Sequence, residues 1–293
     1  MSPLPAPASQ PEPASALRVG LIGAGISASR SPAMHVAAGR ALRLDVCYDL
    51  IDTDGANWQG LPLDVVLSRL AAMGYVGVNV TFPHKRAALA LCDVVAASAA
   101  AVGATNTIVF RGAQRIAHNT DYSGFAAGFL TGIGPRSHTT ALLLGAGGAG
   151  GAVANALVDN GVNRLFIHDT DLQAASRLVA AINTRLGQGR AQLARDLRIA
   201  AAAADGIVNA TPVGMAKLPG TPLDMALVEA RHWVADIVYV PLETEFLRQA
   251  GARGCHVIDG SGMAVGQAVA AFEHFTGCKP DEALMRATFD SLG

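Results

Sequence analysis

Charge is scarce in this chain. Only 15% of its 293 residues are Asp, Glu, Lys or Arg, and these nearly cancel to a net charge of −1. No basic run stands out, so the electrostatic footprint of a nucleic-acid or anionic-membrane binder is missing. Cysteine is scarcer still. Cys47, Cys92, Cys255 and Cys278 lie far apart, with no CxxC and no Cys/His ligand spacing, so neither a metal site nor a disulfide framework is indicated. The expectation is reduced, mostly buried thiols in a cytoplasmic protein. No apolar run is long enough to span a bilayer. The first 16 residues, MSPLPAPASQPEPASA, lack the basic and apolar segments of a signal peptide and read as a flexible tail.

What the chain has in quantity is apolar residues, at 51%, and glycine, at 32 residues. That composition supports a large core, and the length predicts two domains. Strand and helix signals alternate, which predicts an α/β protein with mostly parallel sheets. LRVGLIG (17–23), DVCYDLID (45–52), ALLLG (141–145), RLFIHD (164–169), GIVNAT (206–211), WVADIVY (233–239) and HVIDG (256–260) read as strands. TNTIVF and RIAHNTD around RGAQ read as a hairpin. Helices are expected over 29–44, 63–74, 85–92, about 122–131, 199–204 and 263–277, with Ser31 as an N-cap before Pro32. In GVNVTFPHK (77–85), with Val76 before it, Val76, Val78 and Val80 alternate with small or polar residues, as on a half-buried strand.

The glycine cluster LLLGAGGAGGAVANALVDNG places Gly145, Gly147 and Gly150 in G-x-G-x-x-G spacing. An apolar strand precedes it, a helix follows, and the next strand ends in Asp169. Glycine there permits a tight turn and close approach of backbone N–H groups to a pyrophosphate, with a helix N-terminus behind. A carboxylate at Asp169 accepts the ribose hydroxyls of NAD and repels the 2′-phosphate of NADP. The plainer reading makes Asp169 or Asp171 a cap for the following helix.

Before residue 125, polar groups recur at strand ends: Ser29 and Ser31, Thr81 and Lys85, Asn106, and Asn119–Thr120–Asp121. Ligands of open α/β sheets gather at such ends. Each residue alone also has a structural reading: Ser31 as a cap, Lys85 as a solvated helix residue, Asn106 as a turn former, Asp121 as a cap.

In SRSP (29–32), GVNVTFPHK (77–85), GATNTI (103–108), HNTDYSGF (118–125), GAGGAGGA (145–152), NATPVGM (209–215), DIVYVPLETEFL (236–247) and DGSGMAVGQAV (259–269), the chain resembles the shikimate dehydrogenase family, nearly throughout and in the family's order. The resemblance implies a substrate domain, residues 17–122 plus 261–293, and a Rossmann-like dinucleotide-binding domain, residues 123–260, with a cleft between them. It implies hydride transfer between a nicotinamide and a ring hydroxyl of shikimate or quinate, a small cyclic hydroxy acid, giving the 3-dehydro ketone. It implies Lys85 and Asp121 as the catalytic pair. Ser29 and Ser31, with Tyr239 nearby, look like partners of the substrate carboxylate. Thr81, Asn106, Asp121 and Gln267 look like partners of the ring hydroxyls. Gly145, Ala146, Gly147, Gly148, Ala149, Gly150, Asp169, Thr211, Pro212, Ile237, Gly260 and Met263 look like the cofactor contacts.

The residue types suit the chemistry. Removal of a hydride requires removal of the hydroxyl proton, and a lysine in a closed cleft can take it while a carboxylate orients both. Three features favour an NAD-linked quinate/shikimate branch over the NADP-linked biosynthetic one: Asp169, the absence of Gly-Asn-Pro in GLIGAGISASRSP, and the content of residues 239–277. Ser31 is one candidate for telling quinate from shikimate, since a Ser/Thr exchange there changes reach by a methyl. The alternatives are an amino-substituted substrate, NADP linkage, or a non-catalytic NAD-binding regulator. A monomer or homodimer is expected.

Overall fold

The computed structural model describes residues 16–292. The expected flexible tail therefore lies, apart from Ala16, outside the described residues. The first half runs β1 (Leu17–Gly23), α1 (Ser31–Ala41), β2 (Val46–Asp52), α2 (Leu63–Ala72), β3 (Tyr75–Val80), α3 (Lys85–Leu89), β4 (Val94–Val95), α4 (Ala97–Val102), β5 (Thr107–Arg111) and β6 (Gln114–His118). Its sheet has the order β2-β1-β3-β5-β6-β4. β1 pairs parallel with β2 and β3, while β5 pairs antiparallel with β3 and β6. The β5–β6 pair is the expected hairpin.

After α5 (Asp121–Ile133) the chain builds a second sheet from β7 (Thr140–Leu144), α6 (Gly148–Asp159), β8 (Arg164–His168), α7 (Leu172–Leu186), β9 (Ala191–Leu193), α8 (Leu197–Ala203), β10 (Gly206–Asn209), β11 (Trp233–Asp236), α9 (Glu245–Ala252) and β12 (His256–Ile258). It closes with α10 (Ser261–Thr276) and α11 (Glu282–Asp290). The second sheet is parallel throughout, in the order β12-β11-β10-β7-β8-β9. Strand direction of crossover reverses between β7 and β10, and this switch point is where doubly wound sheets bind ligands.

Both sheets are covered on two faces. Along β7, Ala141 and Leu143 enter one core while Leu142 and Leu144 enter the other, as the period of two requires of a buried parallel strand. The same holds for β3, which corrects the half-buried reading. Val78 and Val80 face one core. Gly77 faces Phe275 of α10, where a Cβ would come within 2.6 Å of the ring, and Asn79 is buried beside it. The small and polar positions of this strand are therefore sites of close packing on the second face.

Other boundaries shift for local reasons. The strand expected over 233–239 ends at Asp236, because Asp236 Oδ1 accepts the Val238 N–H at 2.9 Å and turns the chain out of the sheet. Of the four thiols only Cys255 is buried, whereas Cys47 and Cys92 are half-buried and Cys278 is exposed. Cys278 follows Gly277, the left-handed residue that ends α10. Among the described residues no helix is long and apolar enough to cross a membrane.

The two sheets are joined through α5 and α10, which pack on each other by glycine. A Cβ on Gly128 would meet Gly262 at 2.9 Å, and one on Gly266 would meet Gly124 at 2.8 Å. This close approach fixes where the first turn of α5, carrying Asp121, lies relative to Gln267 on α10.

Candidate active site

β3 ends at Val80, Thr81 continues the chain with its N–H on the Ile22 carbonyl (2.9 Å), and α3 begins at Lys85. Lys85 Nζ lies 2.6 Å from Asp121 Oδ2. The two side chains are only 15% and 7% exposed, so solvent screens their attraction weakly. Lys85 is thus an oriented cation and not a solvated helix residue. Asp121 is not a cap either: Thr120 occupies the N-cap position of α5, and Asp121 is its first helical residue.

The carboxylate is held from the other side. Asn106 Nδ2 donates to Asp121 Oδ1 at 2.9 Å. The Asn106 amide oxygen accepts from the Thr120 N–H (2.8 Å) and the Thr107 hydroxyl (3.1 Å). Those two donors fix which end of the amide faces Asp121. Asn106 serves as a strut between β5 and α5, not as a turn former.

The network runs further than the sequence indicates. Asn79 Nδ2 donates to Thr107 Oγ1 (3.0 Å), and Asn79 Oδ1 accepts from the Tyr48 hydroxyl (2.9 Å). Burial pushes the Tyr48 hydroxyl well above its ordinary pKa, opposed by a hydrogen bond from the Ser31 side chain. A chain of buried hydrogen bonds therefore links Ser31 at one end to Asp121 at the other, and such chains stiffen when every member is satisfied. Tyr48 and Asn79 escape a sequence reading because they sit two strands apart. The available signal is an asparagine inside the apolar strand YVGVNV.

Ser31 is also not the N-cap. Arg30 takes that position with helical backbone angles, φ −85° and ψ −7°, and Ser31 is the first helical residue. Ser29 Oγ accepts the Ser31 N–H at 3.3 Å, which leaves the Ser31 hydroxyl for Tyr48. Arg30 also turns away from Ser29 and Ser31 toward α11. Its guanidinium donates to the Phe289 carbonyl (3.1 Å) and covers the Phe289 ring (4.6 Å). The Tyr239 hydroxyl is pushed up by burial first and by the Asp121 charge second. Ser29, Thr81 and Gln267 make no direct bond to the Lys85–Asp121 pair. Gln267 Nε2 donates instead to Ala264 O (3.0 Å), and the Thr81 methyl packs on Gly23.

The glycine turn faces this pair. Gly145 has φ +102°, and a Cβ there would strike Ala210 at the end of β10 (2.7 Å). A Cβ on Gly150 would run into the Gly145 carbonyl. Around Gly147 no atom of the described residues beyond its immediate chain neighbours lies within 4 Å of the Cβ position, so the space above the turn is open. A Cβ on Gly148 would lie 3.1 Å from Lys85 Cβ, so the first residue of α6 touches the catalytic candidate. The turn thus has the tight geometry and open concave face that fit a dinucleotide pyrophosphate.

Asp169 follows β8. Its Oδ2 accepts the Ala146 N–H (2.6 Å) and its Oδ1 accepts the Asp171 N–H (2.8 Å). Asp171, not Asp169, caps α7 through the N–H groups of Gln173 and Ala174. Asp169 is left beside the glycine turn. Thr211 and Pro212 follow β10, with the Thr211 hydroxyl held by Asn209 Oδ1 at 2.7 Å. Ile237, Gly260 and Met263 gather at the ends of β11 and β12, where a Cβ on Gly260 would meet the Ile237 carbonyl at 2.7 Å. Beneath them Asp236 has its carboxyl pushed up to about 6, chiefly by burial, against bonds from Val238, Thr244 and Asn209. The sequence reading passed over Asp236, an acid in an otherwise apolar strand.

The family model for the shikimate dehydrogenase substrate binding domain matches residues 21–108, and that for the shikimate 5'-dehydrogenase C-terminal domain matches 260–288. A quinate/shikimate dehydrogenase (NAD(+)) of Corynebacterium efficiens is 46% identical over 277 residues, 94% of this chain and 98% of its own. A shikimate dehydrogenase (NADP(+)) of Arthrobacter sp. is 42% identical over 276 residues, 94% of each chain. The solved structure of quinate dehydrogenase from Corynebacterium glutamicum in complex with NAD matches with a TM-score of 0.86 at 43% identity, covering 94% of this chain and 99% of that one.

Proposed function

The chain belongs to the shikimate dehydrogenase family, and from that premise we propose that it transfers a hydride between shikimate or quinate and NAD, giving the 3-dehydro ketone. The observation that carries the reading is the contact between Lys85 and the glycine turn: a buried lysine–carboxylate pair stands directly against the place built for a dinucleotide. When bound, the nicotinamide takes up the hydride in oxidation and returns it in reduction.

The protein's own part is proton handling and orientation. In its neutral amine form Lys85 Nζ removes the ring hydroxyl proton as the carbon–hydrogen bond breaks and becomes the lysinium, and in the reverse direction the lysinium returns that proton to the developing alkoxide. Asp121 orients that nitrogen through the 2.6 Å contact and accepts from a substrate hydroxyl. Thr81, Asn106 and Gln267 bond the remaining ring hydroxyls. Ser29 and Ser31, with Tyr239, bind the substrate carboxylate by hydroxyl donation. Gly145 to Gly150, Asp169, Thr211, Pro212, Ile237, Gly260 and Met263 hold the dinucleotide.

The division into residues 17–122 with 261–293 and residues 123–260 has its support in the two sheets, which share no strand. We read the protein as cytoplasmic and as a monomer or homodimer.

Relatives named for NAD and for NADP both align over 94% of the chain, so the choice of cofactor turns on Asp169. A carboxylate beside the adenosine ribose repels a 2′-phosphate, and a like-charge contact at a binding surface costs several kcal/mol. The test is a matrix of initial rates: shikimate, quinate and an amino analogue, each with NAD and with NADP. Turnover with shikimate or quinate and NAD is expected, and a faster rate with NADP would overturn the cofactor assignment. In the same matrix Asp169→Ala is expected to narrow the NAD:NADP ratio of kcat/KM by at least about tenfold.

A further inference from the structure

The residue after the proposed base crosses between the two halves. Arg86, on α3, donates from Nη2 to the carbonyl oxygen of Ala146 at 2.7 Å, a bond between residues 60 positions apart. Ala146 lies inside the glycine turn, and α6 starts two residues later at Gly148. The N-terminal end of a helix carries positive partial charge. Arg86 therefore places a guanidinium beside an end that disfavours cations, and one neutral carbonyl occupies only part of its donor fork.

No acid answers it. Among the described residues Arg86 forms no ion pair. Asp169 accepts the Ala146 and Asp171 N–H groups and makes no ion pair with Arg86 among the described residues.

The opposite crossing is different. Lys217, in the segment after β10, lays its Nζ against Gly25 in the segment after β1. There it faces Asp52, whose carboxyl is held below its ordinary value by the Gly25 N–H first and by the Lys217 charge among the weaker causes. Lys217 has a carboxylate nearby and Arg86 a neutral carbonyl, and neither forms an ion pair among the described residues.

We propose that Arg86 is a pyrophosphate-binding residue. Its guanidinium keeps the Ala146 carbonyl with one donor and offers the rest to the two negative charges of a dinucleotide pyrophosphate over the turn. Arginine suits this role, since its planar fork binds phosphate oxygens in pairs. Because Arg86 and Lys85 are neighbours on α3, occupation of the turn also fixes the base against Gly148. This inference rests on the NAD reading above.

The test is NADH titration followed by fluorescence, with KM for NAD and kcat measured alongside, on wild type, Arg86→Ala, Arg86→Lys, Arg86→Gln and Lys217→Ala. Loss of a charged hydrogen bond predicts that Arg86→Ala and Arg86→Gln raise the NADH dissociation constant about tenfold. Arg86→Lys recovers part of the affinity, because it keeps the charge and loses the fork. Glutamine can still donate to the Ala146 carbonyl but carries no charge. Tight NADH binding by Arg86→Gln would therefore reduce the contact to a strap and overturn the proposal. So would an equal loss in Lys217→Ala, because that variant loosens the same cleft without touching the turn. If wild type binds no NADH, the dinucleotide reading itself falls. If wild type binds and every Arg86 variant binds equally well, only this inference falls.

Discussion

Lys85→Ala is expected to lower kcat by about 10²–10⁴, the usual worth of a positioned acid–base group, while the NADH dissociation constant changes by less than a few fold. The two halves of this expectation have separate structural grounds. The Nζ atom lies 2.6 Å from Asp121, so truncation removes the one cation that, among the described residues, directly contacts that carboxylate. The nearest approach to the glycine turn is made by Lys85 Cβ, an atom that alanine keeps, with Lys85 Cδ a little farther from the same position. The dinucleotide side is therefore left largely as it was, and the loss falls on proton transfer. Removing one partner of a buried pair also destabilises, by about 3–5 kcal/mol in unfavourable cases. Asn106 still donates to Asp121, which softens this, and a urea titration of the variant separates a folding defect from a catalytic one. Lys85→Met, which retains the apolar stem, is expected to match Lys85→Ala in kcat and to be the more stable of the two. Wild-type turnover in a folded, NADH-binding Lys85→Ala would remove Lys85 from the mechanism.

The parts of this site that are legible in the sequence are those whose meaning is local. Gly145, Gly147 and Gly150 carry theirs in spacing, because turn tightness depends on consecutive backbone angles and on the flanking strand and helix. Lys85 and Asp121 are legible as a pair only through their placement at strand ends, and each had a plain alternative that burial and the 2.6 Å contact remove. What stays hidden depends on sheet order. Tyr48 and Asn79 are separated by β1, which pairs with both of their strands, and nothing in either segment announces the bond between their side chains. Arg86 is hidden for the same reason at longer range: its partner is a backbone carbonyl in the other half of the molecule. Ser31 has the residue type and the following proline of a cap, yet it is the first helical residue of α1. The neighbouring Ser29 hydroxyl accepts the Ser31 N–H instead, and that freedom is what allows Ser31 to reach Tyr48.

The same corner of the fold sets the second large effect, which concerns stability. His35 lies on α1 one turn beyond Ser31, is 1% exposed, and has neither ring nitrogen hydrogen-bonded among the described residues. Its ring sits 4.8 Å from Tyr48, 5.8 Å from Phe272 and 6.0 Å from Phe275. Burial pushes its pKa down to about 3. The unfolded chain protonates this imidazole below about pH 6.5, and the folded chain does not until about pH 3. Between those limits the unfolded state binds the extra proton, so stability is fully present above about 6.5 and falls by about 1.4 kcal/mol per pH unit on acidification. At pH 5 the loss from this one group is about 2 kcal/mol. His35→Leu removes two unpaired polar atoms at nearly conserved volume, so it is expected to be more stable than wild type by about 1 kcal/mol or more at pH 7.5. Its advantage should then grow by about 2 kcal/mol on going to pH 5. Urea unfolding of both proteins at pH 7.5, 6 and 5 measures this. The other histidines with lowered values, His84, His118, His232 and His274, are common to both proteins and cancel in the difference. Tyr48, the one titratable ring in contact, stays neutral throughout because burial raises its pKa. A difference that does not vary with pH would mean that His35 is not held neutral in the fold. A difference that does vary assigns part of the acid sensitivity to the packing beneath Ser31 and Tyr48, at the end of the hydrogen-bond chain proposed to meet the substrate carboxylate.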